Sequence, residues 1–235
     1  MGNPIVVGHL RSLIAFDLDG TLIDSRRDLA DAADALIVEL GGSPLGEEAI
    51  GRMVGEGAAL LVRRALDAAG LDDRPGAVAR FLELYDARLL NHTRLYDGMA
   101  DVARTARQHG RVVVLTNKPT QPSERILSAL GVRDLFDEVV GGDSPYPRKP
   151  DPAALLAMVQ RASATAERTL LVGDSAIDLE TAKRAGCRCC LAAFGFGYRS
   201  LPPERLSGRE WVAEDAAGVS RAIHEFAAGA PPLGP

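Results

Sequence analysis

Two aspartates one residue apart, Asp17 and Asp19, close the apolar run SLIAF, and Gly20 and Thr21 follow at once in the stretch FDLDGTLIDS. Carboxylates held about 4 Å apart repel by roughly 4 kcal/mol at an effective dielectric near 20, so something positive must offset that cost. Three later stretches carry polar groups in the same position, just past an apolar run. RVVVLTN ends in Thr116 and Asn117, with Lys118 next; DEVVGG leads on to Lys149; TLLVGD ends in Asp174, with Asp178 one helical turn further on. Four carboxylates, a lysine and two hydroxyl or amide groups could converge on one place. Such a set could balance its own charge and meet an anion.

The elements that must position these residues are legible in outline. SLIAF, RVVVLTN, DEVVGG, TLLVGD and CCLAAFG do not alternate cleanly between apolar and polar, the pattern of strands buried on both faces. Helical segments separate them. DGMADVARTARQHG stops at Gly110, PTQPSERILSALG at Gly131 and SAIDLETAKRAG at Gly186, while DPAALLAMVQRA is read with Asp151 as its cap and Pro152 at its first position. Strand–helix alternation of this kind predicts an α/β fold with a Rossmann-like parallel sheet covered by helices on both faces. In open sheets of this type, ligands bind at the carboxyl ends of the strands, where the polar residues above are placed.

Residues 25–94 break the alternation. RRDLADAADALIVEL, EEAIGRMV, GAALLVRRALDAAG and GAVARFLELYDARLL read as consecutive helices, the first with an apolar stripe of Leu29, Ala33, Leu36 and Leu40. About 70 residues without a strand are too many for a crossover. The expected organisation is a core in two segments, 1–24 and 95–235, with an inserted all-helical cap domain over 25–94. The last residues, AAGAPPLGP, read as a loose tail.

The 235 residues carry a net charge of −5, with 46% apolar and 25% charged residues, as in a soluble globular protein. That balance argues against wholesale nucleic-acid binding and requires an anionic substrate to be met by local cations. PIVVGHL near the start is too short and too poorly flanked for a signal peptide, and no run approaches a membrane span, so a cytoplasmic protein is expected. Cys187, Cys189 and Cys190 cluster in CRCC without the spacing of a disulfide framework or a second cluster for zinc. They read as thiols of a strand in a reducing compartment, with no role assigned. The calcium loop pattern fails at Thr21, no P-loop is present, and GEGAAL and GFGYRS do not complete a dinucleotide-binding loop.

Each polar group alone also fits ordinary structure. Asp17 and Asp19 could form a turn, Thr116 and Asn117 a polar loop, Lys149 a solvated charge, and Asp174 and Asp178 a helix cap and dipole partner. Together, however, DLDGTLIDS, LTNKP, RKPDP and VGDSAIDLETAKRAG resemble the haloacid-dehalogenase-like hydrolases, over nearly the whole chain. VGEGAALLVRRALDAAG, LTNKPT and GFGY look most like the phosphoglycolate phosphatases of that superfamily.

The resemblance implies a Mg2+-dependent phosphatase acting on a small phosphate monoester, most nearly 2-phosphoglycolate, through an aspartyl-phosphate. It implies that Asp17 and Asp174 hold the metal by side-chain oxygens and Asp19 by its backbone carbonyl, with Asp178 supporting that shell. Asp17 would be the nucleophile and Asp19 the acid–base, the residue that separates ester hydrolysis from dehalogenation. Thr116, Asn117 and Lys149 would hold the phosphate. In the cap, Gly55 and Gly57 would allow close backbone approach, and Arg63 or Arg64 would meet a substrate carboxylate; the two arginines fit equally an exposed helix face. The expected partner is a small-molecule substrate, with neither nucleic acid nor membrane, for a monomer or homodimer. A sugar-phosphate phosphatase, such as one for N-acetylmuramic acid 6-phosphate, and a phosphomutase remain alternatives on the same core. A non-catalytic binding protein would not need Asp17, Asp19, Lys149 and Asp174 together.

Overall fold

The computed structural model describes residues 12–231. PIVVGHL, read above as no signal peptide, lies outside them. Six parallel strands form one sheet: β1 (Ser12–Phe16), β4 (Gly110–Leu115), β5 (Glu138–Val140), β6 (Thr169–Gly173), β7 (Arg188–Ala192) and β8 (Trp211–Ala213), in the order β5-β4-β1-β6-β7-β8. β1 is central: Phe16 pairs with Val114 of β4 on one side and Val172 of β6 on the other. Every residue of β1 and β6 is buried, as expected of strands covered on both faces.

Successive side chains of a strand point to opposite faces, and the core divides accordingly. Ile14, Phe16, Val112, Val114, Leu170 and Val172 pack toward α5 (Met99–His109), α6 (Thr120–Ala129) and α9 (Ala216–Ala227). Leu13, Ala15, Val113, Leu115, Leu171 and Leu191 pack toward α7 (Ala153–Arg161) and α8 (Ala176–Ala185). α7 starts one residue later than its sequence suggests. Pro152 takes the cap position, and the Asp151 carboxylate accepts from the Ala153 N–H at 2.9 Å.

Between β1 and β4 lies a helical cap of α1 (Arg26–Glu39), α2 (Glu47–Gly51), α3 (Ala58–Ala68) and α4 (Ala77–Asp86). Leu29, Ala33 and Leu36 of α1 are buried, while Leu40, just past its end, is only partly so. Two short strands bound the cap, β2 (Ile23–Asp24) and β3 (Arg94–Leu95), paired antiparallel with Asp24 opposite Arg94. Asp24 is also clamped by Arg26 at 2.8 Å. Deeper in this neck, the fully buried Asp28 accepts from the His92 N–H, the Thr93 N–H and the Thr93 hydroxyl, at 2.7–3.0 Å. The tail read from AAGAPPLGP begins inside α9, which continues to Ala227. Among the described residues, no helix is long and apolar enough to cross a membrane.

Candidate active site

β1 delivers Asp17 to the carboxyl edge of the sheet, where its N–H donates to Val172 O across the strand pair at 2.8 Å. β6 delivers Asp174 beside it, and the first turn of α8 adds Asp178. One carboxylate oxygen from each lies within 4.8 Å of the others, and all three residues are buried. Packing this tight requires glycine. Gly20 has φ of +86°, and a Cβ there would sit 2.1 Å from Asp174 Oδ2.

A single ammonium, Lys149 Nζ, faces this cluster, 2.8 Å from Asp17 Oδ1 and 2.6 Å from Asp178 Oδ1. The contact with Asp17 is an ion pair off the direction of a hydrogen bond, which leaves Asp17 Oδ1 buried without a donor. Asp178 is fully engaged: its Oδ2 accepts from the Asp174 N–H, the Ser175 N–H and the Ser175 hydroxyl. This arrangement also caps α8.

Charge is therefore in excess on the acidic side. Burial pushes the Asp17 carboxyl up to about 6, with repulsion from Asp178 adding to it and Lys149 opposing. Burial, then Asp178 and Asp17, hold the Asp174 carboxyl well above the usual range, although Asp174 Oδ2 accepts from the Gly197 N–H at 2.7 Å. Burial disfavours the Lys149 ammonium, but Asp17 and Asp178 outweigh it and keep it charged. Three buried carboxylates against one cation, with an orphaned oxygen on Asp17, fit a hard divalent cation such as Mg2+, which prefers oxygen donors.

Asp19 stands apart from this cluster. Lys118 Nζ lies 3.0 Å from both of its carboxylate oxygens, and the Ser25 hydroxyl donates to Oδ1 at 2.6 Å. Burial disfavours the Lys118 charge, yet Asp19 outweighs it and holds the ammonium protonated. Thr116 and Asn117 are buried at the end of β4. Thr116 Oγ1 accepts from the Lys118 N–H at 3.2 Å. Asn117 Nδ2 donates both to Lys149 O in the core and to Gly55 O in the cap, at 3.0 and 2.9 Å.

Asp17, Asp19, Thr116, Asn117 and Lys118 form the floor of a cavity of about 50 Å3. Its roof is the cap: Val54, Gly55, Gly57, Leu61, Phe81 and Tyr85. Gly57, with φ of +92°, brings the cap so near the core that a Cβ would meet Arg148 Nη1 at 2.8 Å. The structure thus brings Gly55 and Gly57 to the site but not the two cap arginines. Helical spacing turns Leu61, Val62, Ala65 and Leu66 of α3 inward. Arg63 then faces outward and is exposed. Arg64 is committed to Glu56 at 2.5 Å. The cation that does line the cavity, Lys118, is visible in the sequence as the residue right after a strand end, but nothing there distinguishes it from a solvated lysine. Cys187, Cys189 and Cys190 are free thiols at the start of and within β7. Burial pushes the Cys190 thiol up to about 12.

Comparison with known proteins agrees with this geometry. A family model described as haloacid dehalogenase-like hydrolase matches residues 12–186. A phosphoglycolate phosphatase from Rhodospirillum rubrum is 42% identical over 215 residues, covering 88% of each chain. One from Pseudomonas putida is 42% identical over 198 residues, covering 81% of this chain and 72% of that protein. Among solved structures, a predicted phosphoglycolate phosphatase from Haemophilus somnus superposes with a TM-score of 0.82 at 29% identity, over 90% of this chain and 97% of that one. With the acidic cluster, the parallel sheet and the inserted cap in hand, the chain belongs to the haloacid dehalogenase-like hydrolases.

Proposed function

We propose that this protein hydrolyses 2-phosphoglycolate to glycolate and phosphate in a Mg2+-dependent reaction through an aspartyl-phosphate. The observation that carries the reading is the facing pair of aspartates: Asp17 beside Lys149 in the acidic cluster, and Asp19 outside that cluster on the wall of the same cavity. Names of relatives support the substrate.

Asp17 and Asp174 would hold the cation by side-chain oxygens and Asp19 by its backbone carbonyl, with Asp178 fixing Lys149 and the turn that carries Asp174. When bound, the cation offsets the carboxylate repulsion and the charge on the phosphoryl oxygens. The Asp17 carboxylate attacks phosphorus, and the ester P–O bond breaks as Asp19 gives its proton to the leaving alkoxide. Asp19 then takes a proton from water as that water attacks phosphorus, and the bond to Asp17 breaks. Lys149, the Thr116 hydroxyl and the Asn117 N–H would hold the phosphoryl oxygens throughout, because phosphoryl transfer is mostly positioning and charge stabilisation. We assign the lid to residues 25–94, hinged where β2 and β3 pair; closed, it excludes water.

The test is a panel of phosphate esters assayed with Mg2+ and with a chelator. The expected outcome is turnover lost in chelator and restored by Mg2+, with kcat/KM for 2-phosphoglycolate above that for hexose phosphates. Undiminished turnover in chelator would sink the site, and a hexose phosphate better by tenfold would move the reading to a sugar-phosphate phosphatase.

A further inference from the structure

The phosphoryl-binding groups of the floor are spoken for in the reading above. A leaving group that carries its own charge must therefore be recognised elsewhere in the cavity. Val54, Leu61 and Phe81 on the roof offer nothing to an anion. Among the described residues lining the cavity, Lys118 is the only cation. Its side chain is 4% exposed, and three groups hold the ammonium in place. Two are the oxygens of Asp19 at 3.0 Å, and the third is the ring of Tyr85, whose centroid lies 4.5 Å from Nζ. Tyr85 belongs to α4 of the cap, so core and cap meet at this ammonium. The Tyr85 hydroxyl is buried beside that ammonium on the cavity wall, and no acceptor takes its proton. Burying a hydroxyl without an acceptor is unfavourable, and a carboxylate oxygen would relieve it.

We propose that Lys118, with the Tyr85 hydroxyl as second donor, receives a carboxylate on the leaving group of the substrate and is what makes the enzyme prefer phosphate esters of small hydroxy acids. This rests on the phosphatase reading and assigns its specificity to the core lysine and one cap tyrosine, in place of the arginines of α3. The arrangement also explains why the cavity can be small and mostly apolar: one charged contact and one hydroxyl suffice for a carboxylate, and the remaining wall excludes water. Because Tyr85 comes with the cap, carboxylate binding would favour the closed position.

The experiment compares esters matched in size that differ in the carboxylate: 2-phosphoglycolate against 2-hydroxyethyl phosphate, and 3-phosphoglycerate against glycerol 3-phosphate. The wild type should favour the carboxylate member of each pair. Lys118→Met should shrink that preference by about tenfold or more, as for loss of a charged hydrogen bond. Lys118→Arg should keep most of it. Tyr85→Phe, which keeps the ring over Nζ, should narrow it by a smaller factor, mainly through KM. Equal losses for both members in Lys118→Met would overturn the inference and make Lys118 a positioning residue for Asp19. If Lys118→Met does not fold, a preference unchanged in both Tyr85→Phe and Lys118→Gln would overturn it instead. Turnover of the esters without a carboxylate preference in the wild type would overturn this inference alone. No turnover of any ester would overturn the phosphatase reading and this inference with it.

Discussion

Asp17 shares one ammonium with Asp178, whereas Asp19 has another almost to itself, and in the proposed reaction this difference in surroundings suits them to different work. Asp17 is packed among carboxylates and pushed up to about 6 by burial, so it becomes a usable nucleophile when positive charge collects around it. Asp19 lies off that cluster, braced by Lys118 and Ser25 at the cavity wall, where a proton could be given to a leaving oxygen. The two should fail differently. Asp17→Asn should form no phospho-enzyme on rapid quench with substrate. Asp19→Asn keeps the nucleophile and should lower kcat by roughly 10²–10⁴-fold, the usual contribution of a positioned acid–base group. Near-normal turnover in Asp19→Asn would remove it from proton transfer. The neutral amide keeps the side chain's size, so neither substitution should disturb the sheet.

At the scale of elements, the neck of the cap carries an unusual concentration of buried polarity. Asp28 is fully buried and accepts three donors from His92 and Thr93, joining the first turn of α1 to the segment just before β3. Asp28→Ala would leave those donors buried without a partner. We expect a loss of about 3 kcal/mol, the scale for hydrogen bonds to a charged group, read as a lower urea midpoint at unchanged m. A change under about 0.5 kcal/mol would mean that water replaces the carboxylate. Nothing in the sequence marks Asp28 out, because its partners lie more than sixty residues away. The same limit explains what else was illegible. Of the five strands read from SLIAF to CCLAAFG, four are plain because their runs span five or six residues; β5 has only three and is marked by the two glycines that follow it. β2 and β3 have two residues each and no apolar signature. β8 has only three residues, with Val212 exposed between buried Trp211 and Ala213. At the strand ends Asp17, Thr116, Asn117 and Asp174 are legible as candidates, whereas Lys118 beside them is not, because its partner Asp19 lies 99 residues away. On α3 the charge of Arg63 and Arg64 suggests a role in the site, but the structure places Arg63 on the exposed face and pairs Arg64 with Glu56, away from the cavity lining.

For the whole molecule, the acidic cluster ties folding to pH and, under the proposed function, to metal. Asp17 ionises near 3.8 when unfolded and near 6 when folded, because burial and Asp178 oppose its charge. Between those values the folded state holds more protons than the unfolded one. The contribution of Asp17 to stability therefore falls as pH rises through about 4 to 6 and stays low above that. Asp174 is raised for the same reasons and acts in the same direction. Carboxylates that gain partners do the reverse. Burial would raise Asp24, but Arg26 outweighs it and lowers its pKa, so its contribution grows as pH rises through the acid range. The metal-free melting curve mixes both, and the difference made by Mg2+ separates them. Ionisation of the cluster favours cation binding, so the stabilisation by Mg2+, read as a shift in melting temperature, should be small at about pH 4.5 and grow as pH rises through about 6, where Asp17 ionises. At a hundredfold excess over Kd the stabilisation free energy should amount to about 2.7 kcal/mol at the upper end. Asp174→Asn should flatten the difference at every pH while leaving the Asp24 contribution in place. A shift of equal size at both ends of the range would mean that the cation binds somewhere other than this cluster.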